Sequence, residues 1–302
     1  MGWREEFVLL AQKESGFKLK TSQHGHFMVD PMPTKEEMNE FYAKQYYANT
    51  QITSQKGMDI GVFSGEAEKY HFERQYNDTI RLMDENGVGK DGAILDIGCG
   101  RGEFLRFLAK RGYTKLFGTE FDESLSIDGV DLFCGDFLDY ETDMKFDFIS
   151  MHNVLEHVIE PELFLKKAHS MLKHNGVIKI QVPNDFSITQ YKAVIGDEKK
   201  NFYFFCPPEH LHYFCFESMR DMLSSNGFES FYETTFFPMD FFMLMGLDYS
   251  KDKTLGKECH NYRVNFEYKM GNALIEYYDQ LAKIWIGRVV MIYAKRTLKS
   301  KI

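Results

Sequence analysis

A chain of 302 residues, 44% hydrophobic and 27% charged, is long enough to bury the core of one large domain or of one domain with substantial additions. Its 45 acidic against 36 basic residues give a formal net charge of −9, which argues against a non-specific nucleic-acid binder, because such binding comes mainly from cations on phosphates. No apolar run approaches the roughly 18 residues of a membrane span, and five scattered cysteines without a C-x-x-C pair fit a reducing compartment, so we expect a cytoplasmic protein with no membrane partner.

Residues 1–65 read as an N-terminal extension. A mixed polar segment runs through His26, and Asp30-Pro31-Met32-Pro33-Thr34 follows, where two prolines exclude a helix interior and Thr34 can cap the helix expected over 35–47. The His24-Gly25-His26 tripeptide offers two metal-type ligands without a third and is read as surface or core. Tyr46 and Tyr47 close the segment. From Glu66 to Glu85 the spacing of Tyr76, Ile80 and Met83 predicts an amphipathic helix, ended by Glu85-Asn86-Gly87.

The chain turns on 93–102, Ala-Ile-Leu-Asp-Ile-Gly-Cys-Gly-Arg-Gly. An apolar run leads to Asp96, glycines alternate at 98, 100 and 102, and an amphipathic segment follows at once, which reads as strand, glycine turn, helix. Such a turn lets a ligand lie on backbone, with the N–H groups of the next helix as donors. The dinucleotide fingerprint is G-x-G-x-x-G, whereas here the spacing is G-x-G-x-G behind an acid. That spacing disfavours an NAD-dependent dehydrogenase.

In this motif the sequence resembles the class I S-adenosylmethionine-dependent methyltransferases, and the likeness extends over about 93–228. The resemblance implies a doubly wound α/β fold with a mostly parallel seven-stranded sheet, S-adenosylmethionine as cofactor, and cofactor contacts from Asp96, Gly98, Cys99, Gly100 and Gly102. A helix is expected over 103–111 and a second strand over 115–120. Glu120, at that strand's end, can accept both ribose hydroxyls through its two oxygens. Phe121 either lies against adenine or packs on protein. After a third strand at 130–134, Asp136 and Phe137 match the positions that meet the adenine amino group and a ring nitrogen. Arg74, on the preceding helix, is a candidate partner for the ligand carboxylate, with a solvated surface charge as the plainer reading.

A fourth strand at 146–151 leads into His152-Asn153-Val154-Leu155-Glu156-His157, which faces the reacting sulfonium by the rule that ligands sit beyond strand carboxyl ends. Asn153 belongs with the cofactor set. The run lacks the Asn/Asp-Pro-Pro-aromatic signature of base-amino methylation and resembles the small-molecule branch acting on quinone precursors, sugars and natural products. Pro161 opens a helix closed by Lys173, His174 and Gly176, and a fifth strand spans 176–182. Residues 184–214, rich in Phe and Tyr, read as a lid or substrate wall. A helix over 217–226 starts without the usual serine, Cys215 standing in its place. A sixth strand is expected at 228–235 and the last at 286–294. Between them lies an insertion, 236–284, with a Phe- and Met-rich stretch and a helix over 264–284, whose use as pocket wall, lid cover or homodimer face is left open.

Methyl transfer from a sulfonium is an in-line displacement requiring no metal, and alignment of donor and acceptor can supply roughly 7–11 kcal/mol. A hydroxyl or carbon-acid acceptor, for O- or C-methylation, adds the need for a base, and three histidines compete. His210 stands beside Glu209 in a loop like that of sugar C-methyltransferases with a Glu-His pair. His157 is nearer the cofactor by chain logic, and His212 is the third. No metal is expected. The substrate expected is a small polar molecule, a nucleotide-linked or surface-polysaccharide sugar before a quinone precursor; a non-catalytic cofactor-binding subunit is the alternative of another class. Some similar sugar enzymes carry a cysteine-rich zinc module before such an N-terminal segment, and this chain has no cysteine before Cys99.

Overall fold

The computed structural model describes residues 2–41, 65–196 and 200–297. Five predicted strands coincide closely with observed ones: β3 (Ala93–Ile97), β4 (Lys115–Glu120), β5 (Val130–Cys134), β6 (Phe146–His152) and β9 (Phe228–Thr234). With β7 (Leu172–Pro183) and β10 (Val289–Arg296) they form a seven-stranded sheet in the order β5-β4-β3-β6-β7-β10-β9. β10 runs antiparallel to both neighbours, whereas β5, β4, β3, β6 and β7 are parallel.

Alternation along the strands fills both faces of this sheet. Leu95, Ile97, Ile149 and Ile180 pack with Phe164 and Leu165 of α5 (Pro161–Met171) and Met219 and Leu223 of α7 (Phe216–Ser225). Ile94, Phe148 and Tyr293 pack on the other side with Tyr76 and Met83 of α3 (Glu66–Glu85) and Phe104 and Leu108 of α4 (Glu103–Lys110). Order reverses on either side of β3, so the crevice beyond the carboxyl ends of β3 and β6 is where such sheets take ligands.

Several boundaries differ from expectation for local reasons. α5 ends at Met171, and Leu172 already pairs with Phe146, so Lys173 and His174 belong to the strand; a register shift after Phe146 absorbs the early start. Cys215 stands at the N-cap of α7, and Ser218 Oγ accepts its backbone N–H (3.0 Å). The last strand begins at Val289, and the helix expected over 264–284 is two helices, α9 (Lys253–Met270) and α10 (Ala273–Lys283), broken at Gly271 in the left-handed region. Among them Phe237, Phe242, Cys259, Leu274 and Tyr278 form a small core of their own, with α8 (Asp240–Leu244) on its edge.

The N-terminal segment holds more structure than its polar sequence suggests. Helix α1 (Trp3–Ser15) buries Phe7, Val8 and Ala11, an i, i+1, i+4 stripe overlooked in the sequence. Strands β1 (Lys18–Thr21) and β2 (Phe27–Asp30) form a hairpin that β8 (His212–Tyr213) extends to three strands. The aromatics of 184–214 therefore pack inward: Phe186, Tyr191 of α6 (Ile188–Ile195), Phe205 and Tyr213 surround Phe7 in a second core. Helix α2 (Lys35–Phe41) follows the hairpin; Tyr46 and Tyr47 lie outside the described residues.

Candidate active site

The turn after β3 follows from its glycines, since Gly98, Gly100 and Gly102 all take positive φ (64°, 55° and 70°). A Cβ at Gly98 would stand 2.7 Å from Val154 Cγ2, and one at Gly102 would overlap Ile127. Over Gly100 nothing lies within 4 Å, so the middle of the turn faces open space. Cys99 N–H donates to Thr119 O and its own carbonyl accepts from Gly102, which fixes the turn between β3 and β4.

Three carboxylates line this end of the sheet. Asp96 is buried and accepts from Ser150 Oγ (2.6 Å); burial pushes its acid up to about 7, against the pull of Ser150 and of the buried Lys179. Glu120 uses one oxygen for Gly100 N–H (2.7 Å) and the other for Phe121 N–H (2.8 Å), and each carboxylate oxygen keeps further acceptor capacity. Asp136 accepts from Leu138 N–H (2.9 Å) and is paired with Lys35 of α2 at 3.1 Å. Phe121 is 58% exposed, while the Phe137 ring is buried against Phe164. Asn153 adopts a left-handed φ of 54°, and its N–H donates to Gln181 O.

Beside the turn the segment after β6 meets the loop before β8. Glu156 O accepts from Leu211 N–H (2.7 Å) and His212 N–H (3.2 Å), and His157 Nδ1 donates to Glu209 O (2.7 Å). These bonds place His210 edge-on to His157, ring centroids 4.8 Å apart. Glu156 is 1% exposed, and neither carboxyl oxygen has a hydrogen-bond partner; nor has the buried His210 Nδ1. An unpartnered buried polar group costs roughly 1–3 kcal/mol, so a cluster of three is a place to look for function. Burial drives the Glu156 acid well above its ordinary range and the His157 imidazole below its own. Burial, with His157 beside it, takes His210 down to about 3.

Other candidates move. His212 is 2% exposed, with one ring nitrogen on His26 (3.0 Å) and the other on Ile159 O (3.3 Å), which removes it from the reacting set. Glu209 contributes a carbonyl to His157, and Glu156, a neighbour the sequence named only within the run 152–157, brings a carboxyl oxygen to 3.9 Å from His157 Nε2. Arg74 is no surface charge: 8% exposed, it pairs with Asp78 (3.0 Å) and lies over the rings of Phe236 and Tyr278, tying α3 to the insertion. His24 bridges Asp221 (2.6 Å) and Glu162 (3.0 Å), and His26 joins Ser22 (2.7 Å) to His212, so this pair is structural.

A family model for a methyltransferase domain matches residues 68–232, more than half of the chain. The chain belongs to the methyltransferase-domain family. Among curated relatives, this methyltransferase domain is 25% identical over 126 residues to a mitochondrial ubiquinone biosynthesis O-methyltransferase of Dictyostelium discoideum (35% of this chain, 39% of that one). It is 29% identical over 115 residues to the corresponding enzyme of Bradyrhizobium diazoefficiens (35% and 45%). The chain thus spans less than half the length of these relatives. Of solved structures, magnesium protoporphyrin IX methyltransferase from Synechocystis aligns with TM-score 0.51 at 13% identity (87% of this chain, 100% of that one). The [4+2]-cyclase SpnF aligns with TM-score 0.53 at 18% identity (89% and 99%). These likenesses show the fold, and a cyclase among them illustrates that a fold alone does not fix a reaction.

Proposed function

We propose that the chain is an S-adenosylmethionine-dependent methyltransferase that methylates a hydroxyl of a small polar molecule. The residues fit the cofactor: the open turn over Gly100 and the neighbouring Cys99 and Asn153 would take the methionine end, Glu120 the ribose, Asp136, Phe121 and the Phe137 N–H the adenine. When bound, the cofactor supplies an electrophilic methyl group. Arg74 is the candidate for the amino-acid carboxylate, provided that its pair with Asp78 opens.

The observation that carries the acceptor assignment is the Glu156–His157–His210 cluster, whose first two members lie on the segment that touches Gly98. Because Val154 of the same segment lies against Gly98, the cluster would stand on the side from which a methyl group leaves. His210, neutral at cellular pH, is the proposed acceptor of the hydroxyl proton, with His157 and Glu156 beside it. A sugar, nucleotide-linked or part of a surface polysaccharide, is the preferred substrate class because the Glu209-His210 loop and the N-terminal segment resemble those of sugar methyltransferases. The names of the curated relatives favour a second reading, a phenolic quinone precursor. We place the protein in the cytoplasm, with a homodimer as one use of the exposed Met245, Ile284 and Trp285 on the insertion.

Incubating the full chain with S-adenosylmethionine and panels of nucleotide sugars and catechols, and following S-adenosylhomocysteine release, tests both readings. Turnover confined to the sugars supports the first and turnover confined to the catechols the second. Tight cofactor binding without turnover on any panel, even with candidate protein partners added, overturns both.

A further inference from the structure

Glu156, His157 and His210 each offer one ligand atom, and the three atoms lie within 4.8 Å of one another. What they present is uniform. His157 Nδ1 faces the Glu209 carbonyl, which can only accept, so the proton of the neutral ring sits on Nδ1 and the lone pair on Nε2, 3.9 Å from Glu156 Oε1. Both Glu156 oxygens and His210 Nδ1 are shut from solvent without a partner. The three ligand atoms thus converge, and both Glu156 oxygens and His210 Nδ1 make no hydrogen bond.

We infer that this cluster is a binding site for a first-row divalent transition ion of the zinc and iron(II) class, held by Glu156, His157 and His210. Two imidazoles and one carboxylate suit such ions and disfavour magnesium and calcium, which prefer oxygen. Bonds of about 2.0–2.2 Å set ligand atoms roughly 3–4 Å apart, so the cluster needs a contraction of about 1 Å, within reach of the loop that carries His210. The Glu209 carbonyl then plays the orienting part that outer hydrogen bonds play for metal-bound histidines. Three protein ligands leave coordination positions for hydroxyl oxygens; with the ion bound, His210 is a ligand and not the proton acceptor, and the ion would instead lower the pKa of the coordinated hydroxyl so that its proton passes to solvent. The inference rests on the acceptor side proposed above and narrows it to acceptors able to chelate through oxygen.

The test uses the tag-free full chain, stripped with a chelator and titrated with cobalt(II) alone, then with zinc(II). One equivalent of cobalt should bind with the visible absorption of a four- or five-coordinate ion lacking a thiolate band, and zinc should displace it. Glu156→Gln and His210→Asn should each weaken uptake ~100-fold or more while S-adenosylhomocysteine binds as before, which shows the variants folded. No stoichiometric uptake, or uptake that survives both substitutions, overturns the site. Loss of the methyltransferase reading would show separately, as failure of the unsubstituted chain to bind S-adenosylhomocysteine.

Discussion

The two halves of the candidate site are built differently. On the cofactor side, apart from Asn153 beyond β6 and Arg74 on α3, the groups come from the ends of three successive parallel strands or the turns just beyond them: Asp96 and the glycines at β3, Glu120 at β4 and Asp136 after β5. On the acceptor side Glu156 and His157 meet His210 from more than fifty residues away, across a loop pinned by the Glu156 carbonyl. Local strand-and-turn chemistry makes the first half modular, whereas the second depends on how distant segments dock.

Substitutions should separate these halves. The largest effect is expected for His210→Asn, which should lower methyl transfer by about 10²–10⁴-fold while S-adenosylhomocysteine affinity stays within threefold. Steady-state assays beside calorimetry check it, and full activity would remove His210 from the reaction. Glu120→Ala should do the converse, weakening S-adenosylhomocysteine binding by roughly 100-fold, the worth of two charge-assisted hydrogen bonds, and unchanged affinity would sink the ribose assignment.

A third prediction concerns the docking of the N-terminal sheet. Burial, aided by His212, lowers His26 to about 2, so the unfolded chain takes up this proton first as pH falls. The stabilisation is whole above the ordinary histidine value and drains towards pH 2, reaching a loss of about 2 kcal/mol at pH 5. Other buried groups titrate in the same range, so urea unfolding at pH 7.5 and pH 5 is compared between the natural chain and His26→Gln, and the variant's change on acidification should be smaller by about 2 kcal/mol. The smallest effect is expected for Lys35→Ala. Its ammonium is 62% exposed, so freeing Asp136 should change S-adenosylhomocysteine affinity only a few-fold, upward if the lysine competes with the adenine amino group.

The sheet was legible in the sequence because its strands are short apolar runs closed by acids and glycines, signals that a window of ten residues contains. Asp96, Glu120 and Asp136 could be placed for the same reason. What escaped was long-range. Nothing near Phe27 or Met28 announces that they pair with Tyr213 and His212, and the greasy 202–205 stretch reads equally as pocket wall or as core until Phe7 is known to lie against it. Arg74 looked solvated because the rings that cover it, Phe236 and Tyr278, come from an insertion far along the chain.

Strand β8 joins the two stories, because it completes a sheet whose other strands lie at residues 18–30. The stretch bearing His210 is seated by a hairpin whose His26 bonds to His212, 186 positions later. Any attempt to exchange this loop with that of a relative must therefore transplant the leading hairpin together with 206–213. A graft of the loop alone would arrive without its template.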